Sequence, residues 1–149
     1  MKLAVESPLT QDAADLIAGS EGALREVYTP DECFTFTASE LDNDDIIFLV
    51  ARNDADQAIG CVALCDYKTY GEVKRLYVPP AGRGQGTARA LMDELEERAR
   101  LLGHTDVKLE TGDKLVAAVA LYASLGYTKC GPFGDYEEHP ASLFMTKPL

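Results

Sequence analysis

Glycine recurs at positions 82, 84 and 86 around Arg83, and Thr87 and Ala88, which follow, open an apolar repeat of helical period. Backbone N–H groups at a helix start have no partner inside the helix, and the helix dipole adds positive potential there, so an unshielded start of this kind suits phosphate. The kind of phosphate narrows by elimination. A nucleotide P-loop needs Gly-Lys-Ser/Thr before its helix, whereas this turn reads Gly84-Gln85-Gly86-Thr87 with no lysine. A dinucleotide fingerprint needs Gly-x-Gly-x-x-Gly, and counted from Gly82 and Gly84 the third glycine place holds Thr87. By itself the turn is equally a tight strand-to-helix connection.

The elements that must carry this turn follow from periodicity. After Gly86, the residues Ala88, Leu91, Leu95, Ala99 and Leu102 recur at helical spacing with charges on the other faces, and Gly103 closes the helix. Ahead of the turn, Gly71 to Val78 reads as a strand in which Lys74 and Arg75 break the alternation, a pattern consistent with a bulge. Ile46 to Ala51 and Ala58 to Tyr67 form a hairpin around the turn Asn53 to Gln57. Leu3 to Val5 is a short strand, and Thr10 caps a helix that keeps Ala13, Leu16 and Ile17 on one face, with its far end open. Tyr28 to Asp45 has no clean period and reads as a loop or broken helix bordering a ligand site. Asp106 to Glu110 is a strand. Leu115 to Leu125 is a nearly all-apolar helix that should be covered on most sides, and Tyr127 to Cys130 and Leu143 to Thr146 are the last strands, joined by a Gly- and Pro-rich excursion, Gly131 to Pro140. The order β-α-loop-β-β-β-α-β-α-β-β implies an α/β protein with a mixed sheet and helices on its faces.

Composition bounds the rest. The 149 residues, 46% hydrophobic, suit a single domain over 1–149 with one core. The longest apolar run, Leu115 to Ala123, is far shorter than the roughly 20 residues of a membrane span, and no basic region followed by an apolar stretch opens the chain, so a soluble cytoplasmic protein without membrane contact is expected. Four cysteines form no Cys-x-x-Cys pair and two histidines sit far apart, so no metal site is expected; Cys61 and Cys65 read as buried free thiols on one strand face. Residues 1–60 carry 13 acids and three bases, a net of −10, against −1 for residues 61–149. Such a surface argues against nucleic acid. It could draw in a cationic small molecule, or serve solubility alone. A homodimer is compatible with the sequence and not specified by it.

With those elements in place, Arg83, Gly86 and Ala88 fill the pattern Arg-x-x-Gly-x-Ala behind a strand ending in Leu76-Tyr77-Val78-Pro79, which resembles the acyl-CoA pyrophosphate loop of the GNAT superfamily of N-acetyltransferases. A second stretch, Ala118 to Tyr122 followed by Leu125-Gly126-Tyr127, resembles that superfamily's other signature, and the element order is its order too. The resemblance spans most of residues 46–130 and implies a GNAT-like acyl-CoA N-acyltransferase fold, with acetyl-CoA as co-substrate and an amine as acceptor.

It also implies roles. Amides of Arg83, Gly84, Gln85, Gly86, Thr87 and Ala88 would cradle the pyrophosphate, and the strand backbone at Leu76, Tyr77 and Val78 would meet the pantetheine arm where two parallel strands part. Glu72 would be the general base, with Glu110 in reserve, against the plain alternative that Glu72 pairs with Lys68 or Lys74 on an exposed strand end. Tyr122 would protonate the departing thiolate, against the alternative of a core tyrosine packed on Leu115, Val119 and Leu125. The chain departs from many relatives in carrying Leu115 where they have an asparagine at the strand-helix junction. The expected reaction is direct attack by a primary amine of a small molecule or amino-acid derivative in a ternary complex. A protein N-terminus or lysine is the nearest rival acceptor, a non-catalytic acyl-CoA sensor is the rival from another class, and a nucleotide-binding protein is third.

Overall fold

The computed structural model describes residues 1–149. Seven strands form one sheet in the order β1-β2-β3-β4-β5-β7-β6, where β1 is Lys2–Val5, β2 Ile46–Arg52, β3 Ala58–Asp66, β4 Gly71–Tyr77, β5 Asp106–Gly112, β6 Thr128–Cys130 and β7 Ser142–Pro148. All neighbouring pairs are antiparallel except β4 with β5. A parallel pair needs a crossover, and α3 (Thr87–Leu101) supplies it.

Each face of the sheet has its own core. On one, Leu91, Leu95 and Ala99 of α3 meet Val62, Leu64, Val73, Val107 and Leu109. On the other, Ala13, Leu16 and Ile17 of α1 (Gln11–Arg25) meet Phe48, Val50, Cys61 and Ala63. Strands alternate their side chains between faces, so the central β3, without a polar side chain from Ala58 to Cys65, feeds both cores. Helix α1 starts where expected, with the Thr10 hydroxyl oxygen accepting the Ala13 N–H at 3.1 Å, and runs on to Arg25. Cys61 and Cys65 are buried and unbridged, and burial pushes both thiols up to about 12.

One element takes up an alternative left open by the sequence, the broken helix, and one differs from the sequence reading. The 28–45 segment holds two short helical pieces, a 3₁₀ turn at Pro30–Glu32 and α2 at Ala38–Leu41, the latter closed by a capping box between Thr37 and Glu40. Helix α4 (Val116–Ser124) is not covered on most sides: Tyr122 is its one buried residue, and Val116 is 73% exposed. Four of its nine residues are alanine, whose small side chain has little apolar area to bury, so a high hydropathy here does not demand cover on most sides. No helix is long and apolar enough to cross a membrane.

Candidate active site

The site begins with an irregularity in β4. Ala63 pairs with Lys74 and Cys61 with Tyr77, so Arg75 and Leu76 together stand opposite Val62 alone. Arg75 takes up the extra residue at φ 55°, a left-handed conformation unusual for a side-chain-bearing residue. The bulge turns β4 away from β5. Their pairing stops at Val73 with Leu109, and beyond it a cavity of about 370 Å³ opens between Lys74, Arg75 and Leu76 on one strand and Glu110, Thr111 and Gly112 on the other. Leu115, Ala118 and Tyr122 close it on the α4 side; Ser20, Leu24 and Tyr28 close it on the α1 side. The cavity therefore passes through the sheet, and reagents can meet in it from opposite faces.

Past β4 lies the glycine turn. Gly82 is held so tightly that a Cβ would sit 2.2 Å from the Ile59 carbonyl oxygen, whereas Gly84 and Gly86 face open space at φ 76° and 74°. The side chains around them fold back onto the turn: Arg83 Nε donates to the Val78 carbonyl, Gln85 Nε2 to that of Ala81, and the Thr87 hydroxyl to that of Gly82. The first helical bond of α3 is Ala90 N–H to the Gly86 carbonyl, and no acceptor in the protein takes any of the six N–H groups from Gly84 to Arg89. Six consecutive free backbone donors at a helix N-terminus have the chemistry that an anion requires. Arg89, one turn in, ties α3 to α4 through the Ser124 hydroxyl at 2.9 Å. Leu76 lines the cavity; Val78 packs on the edge of the larger core, and the Tyr77 ring turns to the other face against Gly19 of α1.

The two carboxylates expected from sequence are placed very differently. Glu72 is 2% exposed and lies outside the cavity wall. Its Oε2 accepts the Tyr136 hydroxyl at 2.7 Å and lies 3.1 Å from Lys74 Nζ, while Lys74 also reaches Tyr136 and donates to the Phe34 carbonyl at 2.9 Å. Glu72 thus pairs with Lys74, as the plain alternative held, but within a buried cluster rather than on an exposed strand end, because the 131–140 excursion folds Tyr136 over it. Lys68 instead pairs with Asp45 and Asp66. Glu110 does line the cavity, makes no ion pair, and is pushed up to about 7 by burial, reinforced by the charge of Glu72 and opposed by Lys74 and a hydrogen bond from Ser142. It alternates with the core residues Val107 and Leu109, so it faces the α1 side.

Tyr122 lines the same cavity from α4, its ring edge-on to Tyr127 at 5.8 Å. It is a core residue and a cavity residue at once. Its hydroxyl has no hydrogen-bond partner, and burial, with the Glu110 charge, holds its proton far above the usual range for a phenol. At neutral pH the group is a donor waiting for an acceptor. The structure thus brings Tyr122, Glu110 and Leu76 together and leaves Glu72 behind them, supporting Lys74. Tyr28 and Tyr136 received no individual role from the sequence; the available signal was that Tyr28 opens the aperiodic segment read as bordering a ligand site and that Tyr136 lies in the Gly- and Pro-rich excursion. No three His, Cys, Asp or Glu side chains converge as a metal site would require.

A mixed sheet parted at a β4 bulge, with a free amide row beyond it, defines an acyl-CoA acyltransferase fold. Comparison with known proteins agrees: the model of the Acetyltransferase (GNAT) family matches residues 12–127. An IAA acetyltransferase of Azospirillum brasilense is 38% identical over 149 residues, covering 99% of this chain and 97% of that protein. A structure from Klebsiella pneumoniae, assigned to the acyl-CoA N-acyltransferases, superimposes with a TM-score of 0.85 at 33% identity over 99% of this chain and 97% of its own. The PaiA N-acetyltransferase of Thermoplasma acidophilum, solved with coenzyme A, shares the fold at a TM-score of 0.75 and 17% identity, each chain covered completely. The chain belongs to the GNAT family of N-acetyltransferases, enzymes that transfer an acetyl group from acyl-CoA.

Proposed function

We propose that the protein is a single-domain acetyl-CoA-dependent N-acetyltransferase that modifies a primary amine of a small molecule by direct attack in a ternary complex. The observation that carries this reading is the cavity through the sheet, with a carboxyl group on its α1 side, a phenol on its α4 side and free amides beyond its mouth. The co-substrate fits these residues: six unpaired N–H groups from Gly84 to Arg89 suit a diphosphate, and the parted edge of β4 at Leu76 suits an amide-bearing arm. It supplies an activated acyl carbonyl and a thiolate leaving group.

The chain's own groups supply the proton handling. Ionised Glu110 takes a proton from the amine, which is then a free nucleophile as the C–N bond forms. Tyr122 gives its proton to the sulfur as the C–S bond breaks, and recovers one from solvent. Glu110, near 7, is poised for that task at physiological pH, where Tyr122 remains fully protonated. Glu72 holds Lys74 and Tyr136 in place behind the acceptor side.

The name of the Azospirillum relative favours a second acceptor, IAA, which belongs in any panel. Thiol release tests the reading: acetyl-CoA with a panel of small amines should liberate free CoA with one acetylated product per thiol. Stabilisation by CoA with no turnover on any acceptor would instead identify a sensor.

A further inference from the structure

The acceptor half of the cavity has an unbalanced set of charges. Two cations reach its wall, and both are already committed. Lys74 has three donors and three partners, the Glu72 carboxylate, the Phe34 carbonyl and the Tyr136 hydroxyl, with the Phe36 and Tyr136 rings about its ammonium at 5.0 and 4.9 Å. Arg75 donates to Glu21 at 2.9 Å, to the Phe36 carbonyl at 3.0 Å and to Ser20 at 3.3 Å, and its side chain is 1% exposed. Neither acid in the wall, Glu32 or Glu110, forms an ion pair; Glu32 Oε1 accepts the N–H and hydroxyl of Thr29, and Glu110 faces the gap between the parted strands without a cation. Leu24, Tyr28, Cys33 and Phe34 also line that side. An ammonium entering here finds a carboxyl partner, whereas a carboxylate or phosphate entering with it finds no free cation and is desolvated without compensation.

Building on the assignment of this cavity as the acceptor site, we infer that the acceptor is a primary amine with an apolar, uncharged body, of the arylalkyl or branched-alkyl class, and not an amino acid or any amine carrying an anionic group. The 370 Å³ available, shared with the thioester end, limits that body to about one ring or a short branched chain.

Matched sets test this with the full-length protein and saturating acetyl-CoA: phenethylamine, phenylalanine and phenylalanine amide; isoamylamine, leucine and leucine amide. The amine of each set should exceed the amino acid in kcat/KM by tenfold or more, and the amide, which restores neutrality at equal bulk, should recover most of the loss. Glu21→Gln, which releases Arg75, should narrow the gap between phenethylamine and phenylalanine several-fold. Equal or better rates with the amino acids, or a gap unchanged in Glu21→Gln, would overturn the inference while leaving the amine reading intact. Transfer to IAA with none to any amine would overturn both.

Discussion

The Tyr28 hydroxyl accepts the backbone N–H of Lys114 at 2.7 Å, tying the segment after α1 to the junction between β5 and α4. It also donates to Asp113 Oδ1 at 3.1 Å, and its ring lies so close to Gly112 that a Cβ there would be 2.2 Å from the phenolic oxygen. The junction carries Leu115, whose side chain can form no hydrogen bond, and the corner is tied instead by Tyr28, 86 positions before Lys114. Tyr28→Phe keeps the ring and removes the anchor. It should cost about 1 kcal/mol of stability and raise KM for acetyl-CoA several-fold with little change in kcat. Thermal melts and steady-state kinetics check both.

Glu110→Gln should lower kcat by about 10² to 10³ and abolish the break near pH 7 in the pH profile of kcat/KM. The same residue shapes stability. Its folded-state pKa lies above the ordinary carboxyl value of 4.5, so the protonated form stabilises the fold fully below about 4.5, and that contribution is lost as pH rises through about 7. Glutamine carries no charge to desolvate. The variant should therefore melt above the parent protein at pH 8 and close to it at pH 4.

Glu72→Gln leaves a hydrogen bond to Tyr136 available but strips the buried Lys74 of its carboxylate. Removing one partner of a buried pair typically costs about 3 kcal/mol or more, and chemical denaturation should show a loss of that order. With Glu110 as base, the pH 7 break survives in this variant; its disappearance would return the base role to Glu72.

Tyr122→Phe removes a hydroxyl that bonds to nothing in the protein, so stability and CoA affinity should hardly move. Turnover should fall by about 10², because the thiolate must then leave unprotonated. An unchanged kcat would take Tyr122 out of the mechanism.

How far the sequence carried these conclusions depended on the range of the contacts involved. Helix α3, the β2–β3 hairpin and the order of elements along the chain follow from local period, and adjacent Lys74 and Arg75 marked the β4 bulge that parts the sheet. Glu72 shows where local reading stops: beside two lysines at a strand start it looks solvent-facing, and contacts distant in sequence, among them Tyr136 64 residues on, accompany its burial. The contrast between Glu72 and Glu110 is likewise invisible in sequence: both point to the same face of the sheet, and they differ because Glu72 lies before, and Glu110 beyond, the point where β4 and β5 stop pairing. The surface exposure of α4 was misjudged for a related reason, because hydropathy counts alanine as apolar without asking how much area it buries.

The central claim concerns the amide row beyond β4, and a crystal grown or soaked with coenzyme A examines it most directly. The account predicts diphosphate oxygens within hydrogen-bonding distance of N–H groups between Gly84 and Arg89, with the pantetheine arm entering between Leu76 and α4 so that the sulfur lies beside Tyr122. A diphosphate bound elsewhere on the protein, or an arm that does not enter the gap between β4 and β5, would contradict it.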